Sequence, residues 1–133
     1  MTHFAIYDVV ADDPFFLSDS PATVIKDIEL NFVDSADFGV RSVLSYMVDP
    51  GSASGVTFEM HVSSLQSNGA QPFTLIIPAT SLPSAPPYLR QEVINKDTFK
   101  PVNGGVGIHK LRIKVTSGAA NFSDIVHMYQ FTA

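Results

Sequence analysis

Hydrophobic and polar residues alternate with a period of two along most of the chain, and runs rich in Gly, Pro, Asn, Asp and Ser separate the alternating segments. This pattern is typical of antiparallel β-strands with one face in a core and the other toward water. It predicts an all-β chain. The predicted strands are His3–Val10, Val24–Val33, Arg41–Val48, Gly55–Val62, Phe73–Ile77, Leu89–Ile94, Ile108–Thr116 and Phe122–Phe131.

The alternation also predicts which side chains form the core. Within "LRIKV", Arg112 and Lys114 take the positions that face water, and the apolar residues between and beside them face inward. The same reading applies to "RSVLSYMV" and "VTFEMHV". The predicted core positions of these three strands are Leu44, Tyr46, Val48, Val56, Phe58, Met60, Val62, Leu111, Ile113 and Val115.

Turn residues between the strands organise the predicted fold. The segment Ser81–Tyr88 contains three prolines, which lack an N–H, and it is predicted to cross between two sheets as an extended loop. Gly118, in "TSGAAN", is predicted to form a hairpin between the last two strands. About eight strands with long crossing loops indicate a two-sheet antiparallel β-sandwich of jelly-roll type, in one domain spanning residues 1–133.

The last predicted strand has large apolar residues at both its even and its odd positions, which point to opposite faces of a strand. Phe122, Val126 and Met128 share one parity, whereas Ile125, Tyr129 and Phe131 share the other. A strand with one wet face does not carry large apolar groups on both sides, so loops, another layer or another subunit must cover the second face. We expect a homo-oligomer on this ground.

The amino-acid composition and the net charge exclude some classes of binding partner. Charged residues make up 16% of the 133 residues, below the typical value of about 25%, and this paucity resembles the composition of an interface. The net charge of -5 argues against nucleic acid, which requires a basic patch. The sequence also shows neither a signal-peptide pattern nor an apolar run long enough to span a membrane, so no membrane partner is expected. With no Cys, the chain offers no disulfide or thiolate chemistry.

The passage "TFKPVNGGVGIHKLRIKVTSG", followed by "NFSDIVHMYQF", resembles the C-terminal strands of galactose-binding-like β-sandwiches, a group that includes many carbohydrate-binding modules. The resemblance covers roughly the last 40 residues. It implies a β-sandwich and a carbohydrate ligand, and in many members a structural calcium near the N-terminal strand. The chain departs from the sugar-binding members in having no Trp to stack on a pyranose ring.

Candidate ligand residues lie in the predicted loops. The ring of Tyr88 follows two prolines and could stack on a sugar or fold back over the end of the sandwich. Asp34, Asp37 and Asn103 supply polar groups in two other loops. Asp8, Asp12 and Asp13 are hard oxygen donors of the kind that calcium prefers, although Asp is also common at strand ends and turns.

No arrangement of residues typical of catalysis occurs in the sequence. There is no Gly-x-Ser-x-Gly elbow, no His-Glu-x-x-His helix and no Cys–His pair, so the chain is predicted not to be an enzyme. Two functions fit the sequence best, and a glycan-active enzyme, which would require a cleft with paired carboxylates, ranks third. The first is a non-catalytic, lectin-like carbohydrate-binding module, and the alternative is a structural or assembly protein that self-associates.

Overall fold

A computed structural model describes residues 3–20, 24–30, 38–51, 55–63, 73–84, 87–95 and 109–132. The described residues form eight strands and no helix, which confirms the predicted all-β fold. The strands are β1 (His3–Ala11), β2 (Phe15–Ser18), β3 (Ile25–Leu30), β4 (Phe38–Asp49), β5 (Val56–Ser63), β6 (Phe73–Leu82), β7 (Tyr88–Asn95) and β8 (His109–Thr132).

Two antiparallel sheets share β8. In sheet A the order is β7-β4-β8-β1, and β2 pairs with β8 where β8 enters this sheet. In sheet B the order is β6-β5-β8-β3. The proline-rich segment after Leu82 leads from β6 in sheet B to β7 in sheet A, as its composition predicted.

The predicted C-terminal hairpin is wrong, because β8 is one strand of 24 residues. Its first half pairs with β5 as far as Gly118, and its second half pairs with β2 from Ala119 onward. Gly118 has a φ of 75°, which turns the strand from one sheet into the other without reversing it. Phe15–Ser18, which the alternation did not identify as a strand, forms the short strand β2.

The core lies between the sheets and contains all ten predicted core positions. Aromatic rings connect the two layers. The Phe122 ring in sheet A contacts the Phe58 ring of sheet B edge to face, with centroids 5.4 Å apart, and stacks on Phe15 at 6.0 Å. Tyr46 also contacts Phe58 edge to face, with ring centroids 6.0 Å apart.

A β-bulge at Asp124 changes the side-chain parity of β8. Asp124 has a φ of 51°, and the pairing with β4 shifts between Ser45 and Met47. Because of the extra residue, Phe122 and Ile125 are both fully buried on the inner face, so the prediction that they lie on opposite faces is wrong. The side chains of Tyr129 and Phe131 lie outside what the structure describes.

None of the described residues belongs to a helix long and apolar enough to cross a membrane.

Candidate functional site

Tyr88 is the one predicted ligand residue that the structure describes. Its ring is half-buried and packs against the core, and its hydroxyl donates a hydrogen bond to the carbonyl oxygen of Pro83 at 3.2 Å. The ring therefore folds back over the end of the sandwich, which is the alternative to sugar stacking that the sequence left open. Asp34, Asp37 and Asn103 lie outside the described residues.

The three aspartates proposed to bind calcium are not brought together. Asp8 lies in β1 opposite His127, on the side of sheet A that faces the core, because its neighbours Tyr7 and Val9 point outward. Asp12 and Asp13 are exposed after the strand ends. No three His, Asp or Glu side chains among the described residues converge as a metal site. Calcium binding by this trio gains no support from their positions.

The most unusual surface of the described structure is the side of sheet A that faces away from sheet B. Four of its side chains are strongly exposed although they are large and apolar: Tyr7 (71%), Val9 (61%), Leu89 (66%) and Val93 (62%). We call it the outer face of sheet A, and it consists of Tyr7, Val9, Val43, Ser45, Met47, Leu89, Gln91, Val93, Val126 and Met128.

Strand register arranges these residues in rows across all four strands. One row runs from Tyr7 through Met128 and Val43 to Val93, and it spans about 15 Å at the usual strand spacing. The next row contains Val9, Val126, Ser45 and Gln91 in the same strand order. Met47 and Leu89 begin a third row. None of the ten residues carries a charge. Asp124, at the bulge, adjoins the third row.

The outer face of sheet B is built differently. It carries Lys110, Arg112 and Lys114 on β8, opposite acidic residues of β3 and β5. Arg112 donates two hydrogen bonds to Asp27, from Nε to Oδ1 at 2.8 Å and from Nη2 to Oδ2 at 2.9 Å. Its guanidinium carbon also lies 3.8 Å from the centroid of the Phe73 ring. Two outer faces of one molecule therefore differ sharply in polarity.

These contacts correct the prediction that Arg112 is simply solvated. We expect Arg112→Ala to lower the free energy of unfolding by about 1 kcal/mol at neutral pH, because it removes a half-exposed bidentate ion pair and a cation–π contact. Lys114→Ala, the matched control on the same strand face, should change it by only about 0.3 kcal/mol. Urea denaturation of both variants checks this expectation. Equal effects at the two positions would contradict it.

The pH dependence of this pair has a definite sign. The hydrogen bonds and charge of Arg112 lower the pKa of Asp27, so the carboxylate is favoured in the folded protein. The stabilisation is complete above the ordinary Asp pKa and is lost as the pH falls through the lowered value. The difference in stability between the parent chain and Arg112→Ala should thus shrink below about pH 4.

A polar cluster occupies the core side of β7, the edge strand of sheet A. The buried Tyr46 hydroxyl donates to Glu92 Oε1 at 3.2 Å, and Arg90 Nη2 donates to the same oxygen at 3.1 Å. Burial, with a smaller contribution from the charge of Glu92, raises the pKa of Tyr46 well above its usual value, so this phenol stays protonated. Strand β7 thus has charged residues on its core side and apolar residues on its outer side.

A pocket of about 360 Å³ lies at the end of the sandwich where β8 changes sheets. The hydroxyls of Thr57 and Ser81 share a hydrogen bond of 2.8 Å beside it. No ionisable side chain lines it, so it offers little to orient a charged ligand. Its lining residues are Gly55, Val56, Thr57, Ser81, Leu82, Pro83 and Ser117.

The sequence contained a signal for the outer face of sheet A that a simple alternation rule misses. In "YLRQEVIN" the rule places Arg90 and Glu92 toward water and Leu89 and Val93 inward, yet the structure has the reverse. A strand whose apolar positions face outward indicates a second surface that needs covering. The sequence analysis took such a surface from the C-terminal strand, which has apolar residues at both odd and even positions, and not from β7.

The sequence matches no protein-family model and no curated protein. Solved structures nevertheless share the fold. The structure of infectious bursal disease virus, Gt strain, superposes with a TM-score of 0.65 at 12% identity over 97% of this chain and 33% of that one. The VP2 subviral particle of the same virus gives a TM-score of 0.57 at 12% identity over 97% of this chain and 37% of the other. The chain spans about a third of the length of these viral proteins.

The CBM22-1 xylan-binding domain of Paenibacillus barcinonensis Xyn10C is also similar, with a TM-score of 0.61 at 14% identity. The match covers 97% of this chain and 83% of that domain. At such identities the likeness shows the fold alone. It confirms a β-sandwich like that of a carbohydrate-binding module, whereas membership of the galactose-binding-like group stays a prediction.

Proposed function

We propose that the chain is a non-catalytic assembly protein that self-associates by burying the outer face of sheet A against a second copy of itself. The observation that carries this proposal is the contrast between the two outer faces. Sheet B presents mainly charged and polar side chains to water, beside the less exposed apolar residues Ile25 (47%) and Leu75 (49%). Sheet A presents rows of Tyr, Val, Met and Leu with four side chains more than 60% exposed. Contiguous apolar patches of this kind mark interaction sites.

A second copy is the occupant that the observations favour. The patch lacks charge, so it has no means of selecting a charged partner, and a two-fold interface brings the same apolar surface from both sides. The low charged fraction of 16% agrees with an interface composition. One protein that contains this fold over 37% of its chain, VP2, is part of a subviral particle.

Charge insertion tests the proposal. Val9 is 61% exposed on β1, and Val9→Lys places a charge in the patch without touching the core. We expect the parent chain to associate at micromolar concentration and Val9→Lys to raise the dissociation constant at least about tenfold, which corresponds to about 1.4 kcal/mol. Light scattering and sedimentation velocity measure the masses.

Leu75→Lys is the matched control, because Leu75 is 49% exposed but lies on β6 in sheet B. It should leave the mass unchanged. A strictly monomeric parent chain would overturn the proposal, as would equal dissociation constants for the two lysine variants.

A second candidate function is carbohydrate binding, and the exposed ring of Tyr7 favours it. Sugar-binding proteins stack pyranose rings on such aromatic faces, and Tyr7 is 71% exposed beside the apolar row of sheet A. The fold shared with a xylan-binding domain adds support. A glycan array with and without calcium, repeated with Tyr7→Ala, tests this candidate. Silence across plant, bacterial and animal glycans would count against it.

A further inference from the structure

The edge strand β7 differs from the other described edges of the two sheets. β6 contains Pro78, and its pairing with β5 shifts register twice. β1 has a shift between Val9 and Ala11, half of the six residues of β3 are charged, and β2 is only four residues long. Prolines, bulges and charges are the features that keep an edge from pairing with another strand.

β7 has neither a proline nor a break in register, and its two charged residues, Arg90 and Glu92, are already hydrogen-bonded to each other. It pairs with β4 over eight consecutive residues, from Tyr88 opposite Val48 to Asn95 opposite Arg41. Within the part of the chain that the structure describes, no strand pairs with its other side. Alternate residues of such an edge direct their N–H and C=O groups outward, so β7 offers a regular ladder to a further strand.

When two β7 strands run antiparallel, oppositely charged residues of the two copies face each other, and so do apolar residues. Counted outward from Gln91, the neighbours are Arg90 and Glu92, and then Leu89 and Val93. In an antiparallel pair of two β7 strands related by a two-fold axis at Gln91, Arg90 of one copy lies opposite Glu92 of the other. Directly opposite residues have Cβ atoms about 5 Å apart, which suits an ion pair.

We propose that two copies of the chain pair through β7 in this register and join their A sheets into one continuous sheet. This inference rests on the proposed self-association and identifies an edge contact in addition to the outer face. In one copy Glu92 uses only Oε1 in its described hydrogen bonds, with Tyr46 and Arg90. Its Oε2 can therefore accept from Arg90 of the second copy. The paired strands also extend the outer face of sheet A, because Leu89 lies opposite Val93 across the axis.

Charge reversal tests the register directly. In Arg90→Glu, positions 90 and 92 are both acidic, so two copies repel across the axis, and in Glu92→Arg both positions are basic. Each variant is made in the Val9→Lys background, which weakens the outer-face contact. We expect each one alone to lose the edge contact, with at least about a tenfold rise in its dissociation constant relative to Val9→Lys alone. Mixed one to one, they should form a heterodimer, because every acidic position then meets a basic one. Native mass spectrometry of the mixture identifies that species.

Dimer formation in the mixture shows that each variant alone lost the β7 contact through charge repulsion and not through misfolding, because two misfolded chains do not form a specific dimer. A second measurement does not disturb the cluster at Tyr46. Gln91→Cys introduces the only cysteine of the chain, close to the axis, where the two Cα atoms would be about 5 Å apart. Because Gln91 also belongs to the outer face of sheet A, the substitution is combined with Val9→Lys, which weakens that contact. It should still form a disulfide-linked dimer on mild oxidation, and Leu75→Cys on sheet B should not.

The outcomes distinguish this inference from the proposed function. The edge substitutions lie on β7, three strands away from Val9 on β1, so they can be combined with Val9→Lys. If the combined variants associate as Val9→Lys alone does, or if their mixture behaves as each does alone, the β7 pairing is wrong. The inward charges then only protect a free edge. Association that is sensitive to Val9→Lys would then still support the outer-face contact. A monomeric parent chain would overturn both.

Discussion

Gly118→Ala is expected to lower the free energy of unfolding by at least about 3 kcal/mol. Two effects add. A φ of 75° costs an L-residue roughly 1–2 kcal/mol, and a Cβ at this position would collide with the carbonyl oxygen of Gly55. The surrounding backbone has little room to yield, because Gly118 accepts a hydrogen bond from Asp19 N at 2.9 Å and Ala119 N donates to the oxygen of Gly55 at 3.4 Å.

Gly51→Ala is the control that isolates the dihedral effect. Gly51 has a similar φ of 64°, but a Cβ there meets nothing within 4 Å. We expect a loss of only about 1–2 kcal/mol for this variant. Urea denaturation with matched slopes compares the two. If both glycines gave the same loss, the close approach of Gly55 and Gly118 would not constrain the fold as described.

Phe122→Ala is expected to cost about 3–5 kcal/mol. The side chain is fully buried and joins the layers through its contacts with Phe58 at 5.4 Å and Phe15 at 6.0 Å. Its removal leaves a cavity between the sheets and removes two aromatic contacts.

Phe16→Ala serves as the comparison, because Phe16 is 54% exposed on the short strand next to β8. Its loss should change stability by less than about 1 kcal/mol. Thermal unfolding by circular dichroism gives both values. If Phe16→Ala destabilised the protein as much as Phe122→Ala does, the Phe16 side chain would be buried in solution and not exposed.

The alternation in the sequence was sufficient to predict most of the strands and most of the core, although it missed β2 and divided β8 into two strands. In β5, Val56, Phe58, Met60 and Val62 are all buried as the period of two required, since that strand has one face in the core and one in solvent. Where a strand has one buried face and one solvent-exposed face, the alternation of apolar and polar residues predicts which side chains are buried. The crossing of Ser81–Tyr88 followed from the same local chemistry.

Long-range contacts explain the errors. A glycine with positive φ in a polar run satisfies the local requirements of a hairpin, but only the approach of Gly55 and the pairing with β2 and β5 show that Gly118 is a corner in one strand. The bulge at Asp124 also cannot be predicted from the alternation, because it depends on pairing with a neighbouring strand. Its one extra residue moves every later side chain of β8 to the opposite face.

The candidate site was predicted only in part. Low charge and a doubly apolar C-terminal strand indicated self-association, although the parity behind that argument was wrong. The outer face of sheet A combines side chains from four strands, and its composition depends on the register between them. The predicted loop residues Asp34, Asp37 and Asn103 fall outside the described structure, so their role in ligand binding stays a prediction.

Hydroxyl-radical footprinting at increasing protein concentration tests most directly whether the outer face of sheet A is covered in solution. The two probes are Tyr7 and Leu89, which lie on that face, and Leu75 on sheet B is the internal reference. We expect the oxidation of Tyr7 and Leu89 to fall as the concentration rises through the dissociation constant, while the oxidation of Leu75 stays constant. If all three residues are oxidised at rates independent of concentration, the outer face of sheet A is not covered by self-association.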